Sequence, residues 1–243
     1  MARTKHLNEI LAAFEFMDGG ILEIIRSENP SIRFPLDVSS SSGTPDHYSI
    51  LVETHGSNYD HDMLKLESFL ECVFEEDLVT DGVMAQNLGQ IEDFWKIRES
   101  CNPESAATGF VYKYDVSLAA SDFGAFIRDV QVQLADVSQA SSSSPDLICL
   151  NWGHIIDGNL HCNIVSRNIF EKDPTLSKLI DAVILGEVMK RNGSISAEHG
   201  LGQYKNKYMP QIKDRPTLEA MYGIKSLFDP CGIMNPGKYL PPA

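Results

Sequence analysis

Positive charge is scarce in this chain: 20 Lys and Arg stand against 34 Asp and Glu in 243 residues, a formal net charge of −14. That balance argues against a nucleic-acid partner, because phosphate binding needs clustered Lys and Arg. Long apolar runs are lacking too, and no segment approaches the ~20 apolar residues of a membrane span. Cysteine is sparse. Cys72, Cys101, Cys149, Cys162 and Cys231 are odd in number and show no C-x-x-C spacing, which suits buried or incidental thiols in a reducing compartment rather than a disulfide framework or a zinc finger. No glycine-rich phosphate loop follows a strand; Gly200-Leu201-Gly202 lacks the third glycine of a dinucleotide fingerprint. The start of the chain lacks the features of a signal or transit peptide, since Glu9, Glu15 and Asp18 interrupt its apolar stretch. It reads as a helix beginning abruptly, as expected if sequence is missing upstream.

What is present is ordinary for a globular protein: 43% hydrophobic and 22% charged residues, in a chain long enough for one large domain or two small ones. Ile10, Leu11, Phe14, Met17, Ile21, Ile24 and Ile25 predict a helix over residues 7–26. A polar loop with the run Ser39–Ser42 covers 27–46 and has the length of an insertion. Strands are expected at 48–56, 82–86, 110–118 and 147–165, the last interrupted at Asp157-Gly158. Helices are expected at 60–75, 91–99 (with a break at 103–109), 123–134 (with a Ser-rich break at 138–145), 174–190 and 217–228. The rhythm is not that of a Rossmann domain. It points to an α+β domain built on an antiparallel sheet, without internal repeats.

The segment WGHIIDGNLHCN, 152–163, carries the most chemistry. Asp-Gly between apolar runs signals a two-residue type I′ hairpin. That turn would set Ile156 against Asn159, Ile155 against Leu160, and His154 directly opposite His161. Cross-strand Cβ atoms lie ~5 Å apart, so both imidazoles could reach one ion, with Asn163 on the same face. The arrangement reads as a metal or anion site; the alternative is a solvent-exposed histidine pair. In SISAEHGLG, 194–202, Glu198 could add an oxygen ligand, and three protein ligands with an open position mark a catalytic metal site. His199 would then remain free as a general base. Alone, Glu198-His199 reads equally as a solvated pair. Arg98 and Lys113 are cations in acidic surroundings, suited to a carboxylate, though either one alone reads as a surface charge. In its strand Lys113 points opposite to Tyr112 and Tyr114.

Taken together these segments resemble a known family. GHIIDGNLHCNI is similar to the G-H-x-G-D-G-N-L-H-x-N signature in the C-terminal domain of the flavin-linked oxidases of the vanillyl-alcohol-oxidase superfamily. SISAEHGLGQYK resembles their S-x-E-H-G-[IVL]-G segment, and FDPCGIMNPGKYLP, 228–241, their terminal F-D-P-x-G-I-[LM]-N-P-x-K stretch. AFEFMD, the WKIRE region and VYKYDVSL extend the resemblance over essentially the whole chain, which is most similar to the D-2-hydroxyacid dehydrogenases acting on D-2-hydroxyglutarate or D-lactate.

The resemblance implies a ferredoxin-like substrate and cap domain over 1–243, with 214–243 a C-terminal helical segment facing a flavin-binding domain that this sequence lacks. It implies FAD, held mainly by that domain, and Zn2+ or another divalent metal on His154, His161 and Glu198. Arg98, Asn102 and Lys113 would hold the distal carboxylate, Asn163 would hydrogen-bond the substrate, and His199 would take the hydroxyl proton. Asn235 and Lys238 would pack toward the flavin. Two positions depart from the family pattern: Ile156 replaces a glycine, as if to distort the hairpin, and Asn102 replaces a threonine. An electron-transfer flavoprotein as electron acceptor, a homodimer, and a mitochondrial location (cytoplasmic outside eukaryotes) complete the expectation. Without its flavin half the sheet should leave a wide apolar face uncovered. The other readings are a stand-alone metal- or carboxylate-binding module, a subunit pairing with a separate flavin chain, a metal-dependent hydrolase, or an inactive copy.

Overall fold

A computed structural model describes residues 6–36, 47–140 and 145–241. Five antiparallel strands form one sheet in the order β2-β1-β4-β5-β3. They are β1 (Leu11–Asp18), β2 (Tyr48–Thr54), β3 (Gly109–Ser117), β4 (Leu147–His154) and β5 (Asn159–Arg167). The helices are α1 (Gly19–Glu28), α2 (Tyr59–Glu75), α3 (Leu88–Thr108), α4 (Phe123–Ala140), α5 (Pro174–Lys190), α6 (Met209–Ile212) and α7 (Arg215–Phe228). The α+β class and the antiparallel sheet agree with the sequence pattern.

Helices cover both faces of the sheet. On one side Phe14, Phe16, Tyr112, Tyr114, Val116, Leu160, Cys162 and Ile164 pack under Phe126, Ile127 and Val130 of α4 and Ile180, Ile184 and Val188 of α5. On the other, Met17, Leu150, Trp152 and Val165 meet Ile21, Leu22 and Ile25 of α1 and Ile97 and Cys101 of α3. The sheet therefore leaves no broad apolar face open among the described residues. Exposed apolar side chains instead cluster on α7 and just after it: Ile224, Leu227, Phe228, Ile233 and Met234. Helix α7 buries none of its residues.

Several boundaries differ from expectation, each for a physical reason. Residues 11–18 are a strand, and only Gly19 begins the helix, where the Asp18 carboxylate caps it by accepting from Ile21 N at 2.8 Å. Both faces of this strand are buried, so its apolar residues fit a helical period as well as an alternating one. Helix α3 runs through Pro103. The proline removes one N–H bond, but Ile97, Cys101 and Ser105 lie four residues apart along one buried face and hold the helix against its neighbours. Residues 82–86 pair with no strand. Helix α4 continues to Ala140, past the expected break at Ser138. The Ser39–Ser42 run lies outside the described residues, as does the rest of 37–46, half of the expected 27–46 loop.

Candidate functional site

The strand register places the site. Glu15, His154, Asn159 and Ser117 line up across β1, β4, β5 and β3; the next rung is Met17, Trp152, His161 and Asp115; the third is Leu150, Asn163 and Lys113. Because side chains alternate along a strand, all three rungs face the α1/α3 side.

The hairpin carrying the two histidines is wider than expected. Four residues, Ile155 to Gly158, separate β4 from β5, and His154 pairs with Asn159 rather than His161. Only Gly158 takes a positive φ, +73°. Asp157 keeps an ordinary conformation and accepts from Asn159 N at 3.0 Å through its side chain, so the type I′ turn, which needs positive φ at both central residues, does not form. Ile155 is drawn into the core and donates its N–H to Phe14 O at 3.0 Å, while Ile156 is exposed at the tip. The shift is two residues, which preserves side-chain parity. His154 and His161 thus share a face diagonally, with ring centroids 5.6 Å apart.

Asp115, His161, Glu198 and His199 present ligand atoms that all lie within 4.8 Å of one another. Two of the three expected metal ligands, His161 and Glu198, are in this group; His154 stands beside it. His161 Nε2 is 3.7 Å from Glu198 Oε1, and its ring stacks on that of His199 at 5.8 Å. Burial lowers the His161 pKa, and the charge of Arg98 lowers it further, against the opposing pull of Asp115. A neutral imidazole is the form that binds a metal.

Asp115 builds the Glu198 loop. Its Oδ2 accepts the backbone N–H groups of Ala197, Glu198 and His199 at 3.1, 3.0 and 2.9 Å. Burial pushes this carboxyl up, but the His199 and Glu198 N–H donors outweigh that and hold it below the usual carboxylate range. Its Oδ1 is buried without a hydrogen-bond partner, 3.8 Å from His161 Nδ1. On the other side of the site, Glu15 is buried and joins two expected residues: Oε1 lies 2.9 Å from His154 Nδ1 and Oε2 accepts from Arg98 Nε at 2.9 Å.

The expected carboxylate-binding residues also come together. Arg98 and Asn102 lie one turn apart on α3, and Lys113 Nζ donates to Asn102 Oδ1 at 2.8 Å. Lys113, Asp115 and His199 line a cavity of about 270 Å³ with the 200–205 loop, including Lys205. Asn163 is buried in the rung with Lys113. Asn235 and Lys238 are exposed in a turn outside the cavity. That turn is nevertheless tied to the Glu198 side of the site, since Tyr239 N donates to Gly202 O at 2.8 Å and Asn206 Nδ2 to Gly237 O at 2.7 Å.

Asp115 and Glu15 were absent from the sequence-based set. The spacing that turns Lys113 away from its tyrosines also puts Asp115 beside it. Glu15 becomes legible once Phe14-Glu15-Phe16 is read as alternating strand.

Comparisons with known proteins agree with this architecture. Residues 1–239 match the family described as FAD linked oxidases, C-terminal domain. The mitochondrial D-2-hydroxyglutarate dehydrogenase of Arabidopsis thaliana is 39% identical over 237 residues, covering 98% of this chain and 39% of the relative. The corresponding mitochondrial enzyme of Danio rerio is 35% identical over 239 residues, covering 97% of this chain and 40% of the relative. The chain thus spans about two-fifths of the length of these relatives. A 4-ethylphenol oxidase structure from Gulosibacter chungangensis shares the fold at 15% identity, with a TM-score of 0.52 over 99% of this chain and 51% of that one. The chain belongs to the family of C-terminal domains of FAD-linked oxidases.

Proposed function

We propose that this chain is the substrate- and metal-binding part of a flavin-dependent dehydrogenase that oxidises a D-2-hydroxyacid, foremost D-2-hydroxyglutarate, to its 2-oxoacid. The observation that carries the reading is the convergence of Asp115, His161, Glu198 and His199 beside the linked pair Asn102 and Lys113.

The residues fit a divalent metal. Imidazole nitrogens and carboxylate oxygens suit zinc and its neighbours, and the unpartnered buried Oδ1 of Asp115 faces the group. His161 and Glu198 would hold the ion, with His154 reaching from the adjoining rung through the nitrogen that Glu15 leaves free. When bound, such an ion lowers the pKa of the substrate hydroxyl and orients it. A flavin, when bound, would supply the hydride acceptor for C2, and Asn235 and Lys238 would face the domain that carries it.

The rest is done by this chain's own side chains. Arg98, Asn102 and Lys113 grip the distal carboxylate, which fixes the substrate at both ends and turns C2 toward one side. Asn163 donates an amide hydrogen bond to the substrate. His199 Nε2 takes the hydroxyl proton, with Nδ1 3.9 Å from Asp115 Oδ2 to favour the imidazolium that forms. Residues 1–243 act as one substrate domain with 214–243 turned toward the flavin domain. The relatives' names, together with the exposed apolar residues on and after α7, favour a mitochondrial enzyme in which that surface is covered by the flavin domain or a second copy. An electron-transfer flavoprotein is the matching class of electron acceptor.

The test is the visible spectrum of the protein purified from its source. D-2-hydroxyglutarate should bleach a flavin band, and removal of the metal with a chelator should prevent it. A colourless protein that is unresponsive to the hydroxyacid overturns the redox reading; bleaching indifferent to chelation overturns the metal.

A further inference from the structure

Glu15 sits in the middle of β1 with 4% of its surface exposed. Phe14 and Phe16 on either side turn into the opposite core. A carboxylate in such a place is disfavoured by desolvation unless both its oxygens are engaged, and they are engaged by two different elements. Oε1 meets His154 Nδ1 on β4 at 2.9 Å, and Oε2 meets Arg98 Nε on α3 at 2.9 Å. Among uncharged side chains of this length the nearest is glutamine, which offers one acceptor and one donor and cannot accept from both.

We infer that Glu15 is a positioning residue that sets His154 and Arg98 together for the same substrate. Its acceptor oxygen keeps the proton on His154 Nδ1, so Nε2 carries the lone pair that a metal needs. By taking Arg98 through Nε, it leaves the two terminal nitrogens of the guanidinium free to fork onto a carboxylate. One rigid strand residue therefore fixes the distance between the metal end and the carboxylate end of the site. The inference rests on the reading of His154 as a ligand and Arg98 as a carboxylate binder.

The decisive variant is Glu15→Gln, which keeps shape and length. To accept from Arg98 it must turn its NH2 toward His154, and Nδ1 must then give up its hydrogen. Long-range 1H–15N spectra of the metal-free chain should show His154 as the Nδ1–H tautomer in the wild type and as Nε2–H in the variant. Zinc affinity, measured by competition with a chromophoric chelator, should fall roughly 10- to 100-fold, the usual effect of losing such a partner. In a His154→Ala background the same change should cost no further zinc affinity. Glu15→Ala, which releases both partners, should weaken zinc and 2-oxoglutarate binding together; loss of only one overturns the shared bridge. A lowered melting temperature with the same tautomer and the same zinc affinity marks an ordinary structural ion pair and overturns the inference. If the wild type binds no zinc, the metal reading falls, while the tautomer result still decides the role of Glu15.

Discussion

Replacing Asp115 should loosen the Glu198 loop without unfolding the domain. The carboxylate gathers the N–H groups of Ala197, Glu198 and His199 on one oxygen, with no bond longer than 3.1 Å. A hydrogen bond to a charged acceptor contributes about 1.5–3 kcal/mol, so three would reach roughly 5–9 kcal/mol if they were independent and fully shielded. They are neither. They share one oxygen, and the loop is at the surface, with the Glu198 and His199 side chains 53% and 62% exposed, so water replaces part of what is lost. About 2–4 kcal/mol is the expected cost of Asp115→Ala, confined to the loop because the adjoining strand β3 is anchored by Tyr114 and Val116 in the main core.

Native-state hydrogen exchange is the assay. The amides of Glu198 and His199 should exchange roughly 30- to 1,000-fold faster, at tenfold per 1.4 kcal/mol, and that of Ala197 by less, because its N–H also donates to the Asp115 backbone oxygen at 3.3 Å, while those of β5 hold their rates. Asp115→Asn, which keeps an acceptor but not the charge, should fall between. Unchanged exchange at Glu198 and His199 would refute the reasoning, because Asp115 Oδ2 is the acceptor that both amides share.

Other consequences are simpler to read. Burial pushes the Asp18 carboxyl up to about 6 from 3.8, against the hydrogen bonds from Asn151 and Ile21 that lower it. The folded state therefore binds more protons than the unfolded one between those values, and stability should fall by up to about 3 kcal/mol as pH rises from about 4 to 6. Urea titrations of wild type and Asp18→Asn should diverge over that window and run parallel above it; a constant gap refutes the shift. Gly153→Ala would place a Cβ 2.2 Å from the backbone oxygen of Asn159, so it should cost at least about 2 kcal/mol in the same titrations. Gly186→Ala, in α5 with nothing within 4 Å, should instead add about 0.5–1 kcal/mol. Phe126 of α4 is fully buried in the core beneath the sheet, and Phe126→Ala should cost about 3–5 kcal/mol.

How much of this was legible follows from which pattern carried the information. Alternation showed that His154, His161 and Asn163 share a face, because a register shift of two leaves parity untouched. It did not show the pairing, since that depends on whether Asp157 adopts positive φ, and its side-chain bond to Asn159 N favours the ordinary conformation. Strand β1 was misread because its two faces meet two separate cores, so neither period stands out. Helix α3 was cut short because the Pro103 penalty is local, whereas the burial of Ile97, Cys101 and Ser105 that outweighs it comes from α1 and the sheet. Glu15 and Asp115 were hidden for a related reason. Their roles lie in contacts with residues 139 and up to 84 positions away, and no local spacing reports those.

The charges around the site lead to a last prediction. Arg98, Lys113 and Lys205 lie beside Glu15, Asp115 and Glu198, so three positive charges meet three negative ones and the site is close to neutral while its histidines are neutral. The chain as a whole is at −14, so an approaching dianion finds no net attraction there. A divalent cation held by His161 and Glu198, as proposed, would change the balance by two, the amount a dicarboxylate cancels and a monocarboxylate cancels only by half. Unit charges ~5 Å apart interact by about 3 kcal/mol at an effective dielectric constant of 20, and coupling energies between sites usually retain 1–3 kcal/mol. Zinc should therefore raise the affinity for 2-oxoglutarate roughly 5- to 150-fold, and for pyruvate by a smaller factor, in titration calorimetry of the same protein with and without chelator. Reciprocity requires 2-oxoglutarate to tighten zinc by the same ratio. Equal gains for the two acids would mean that the second carboxylate is held by Arg98 and Lys113 independently of the cation. The charge balance would then have no part in selecting a dicarboxylate over a monocarboxylate.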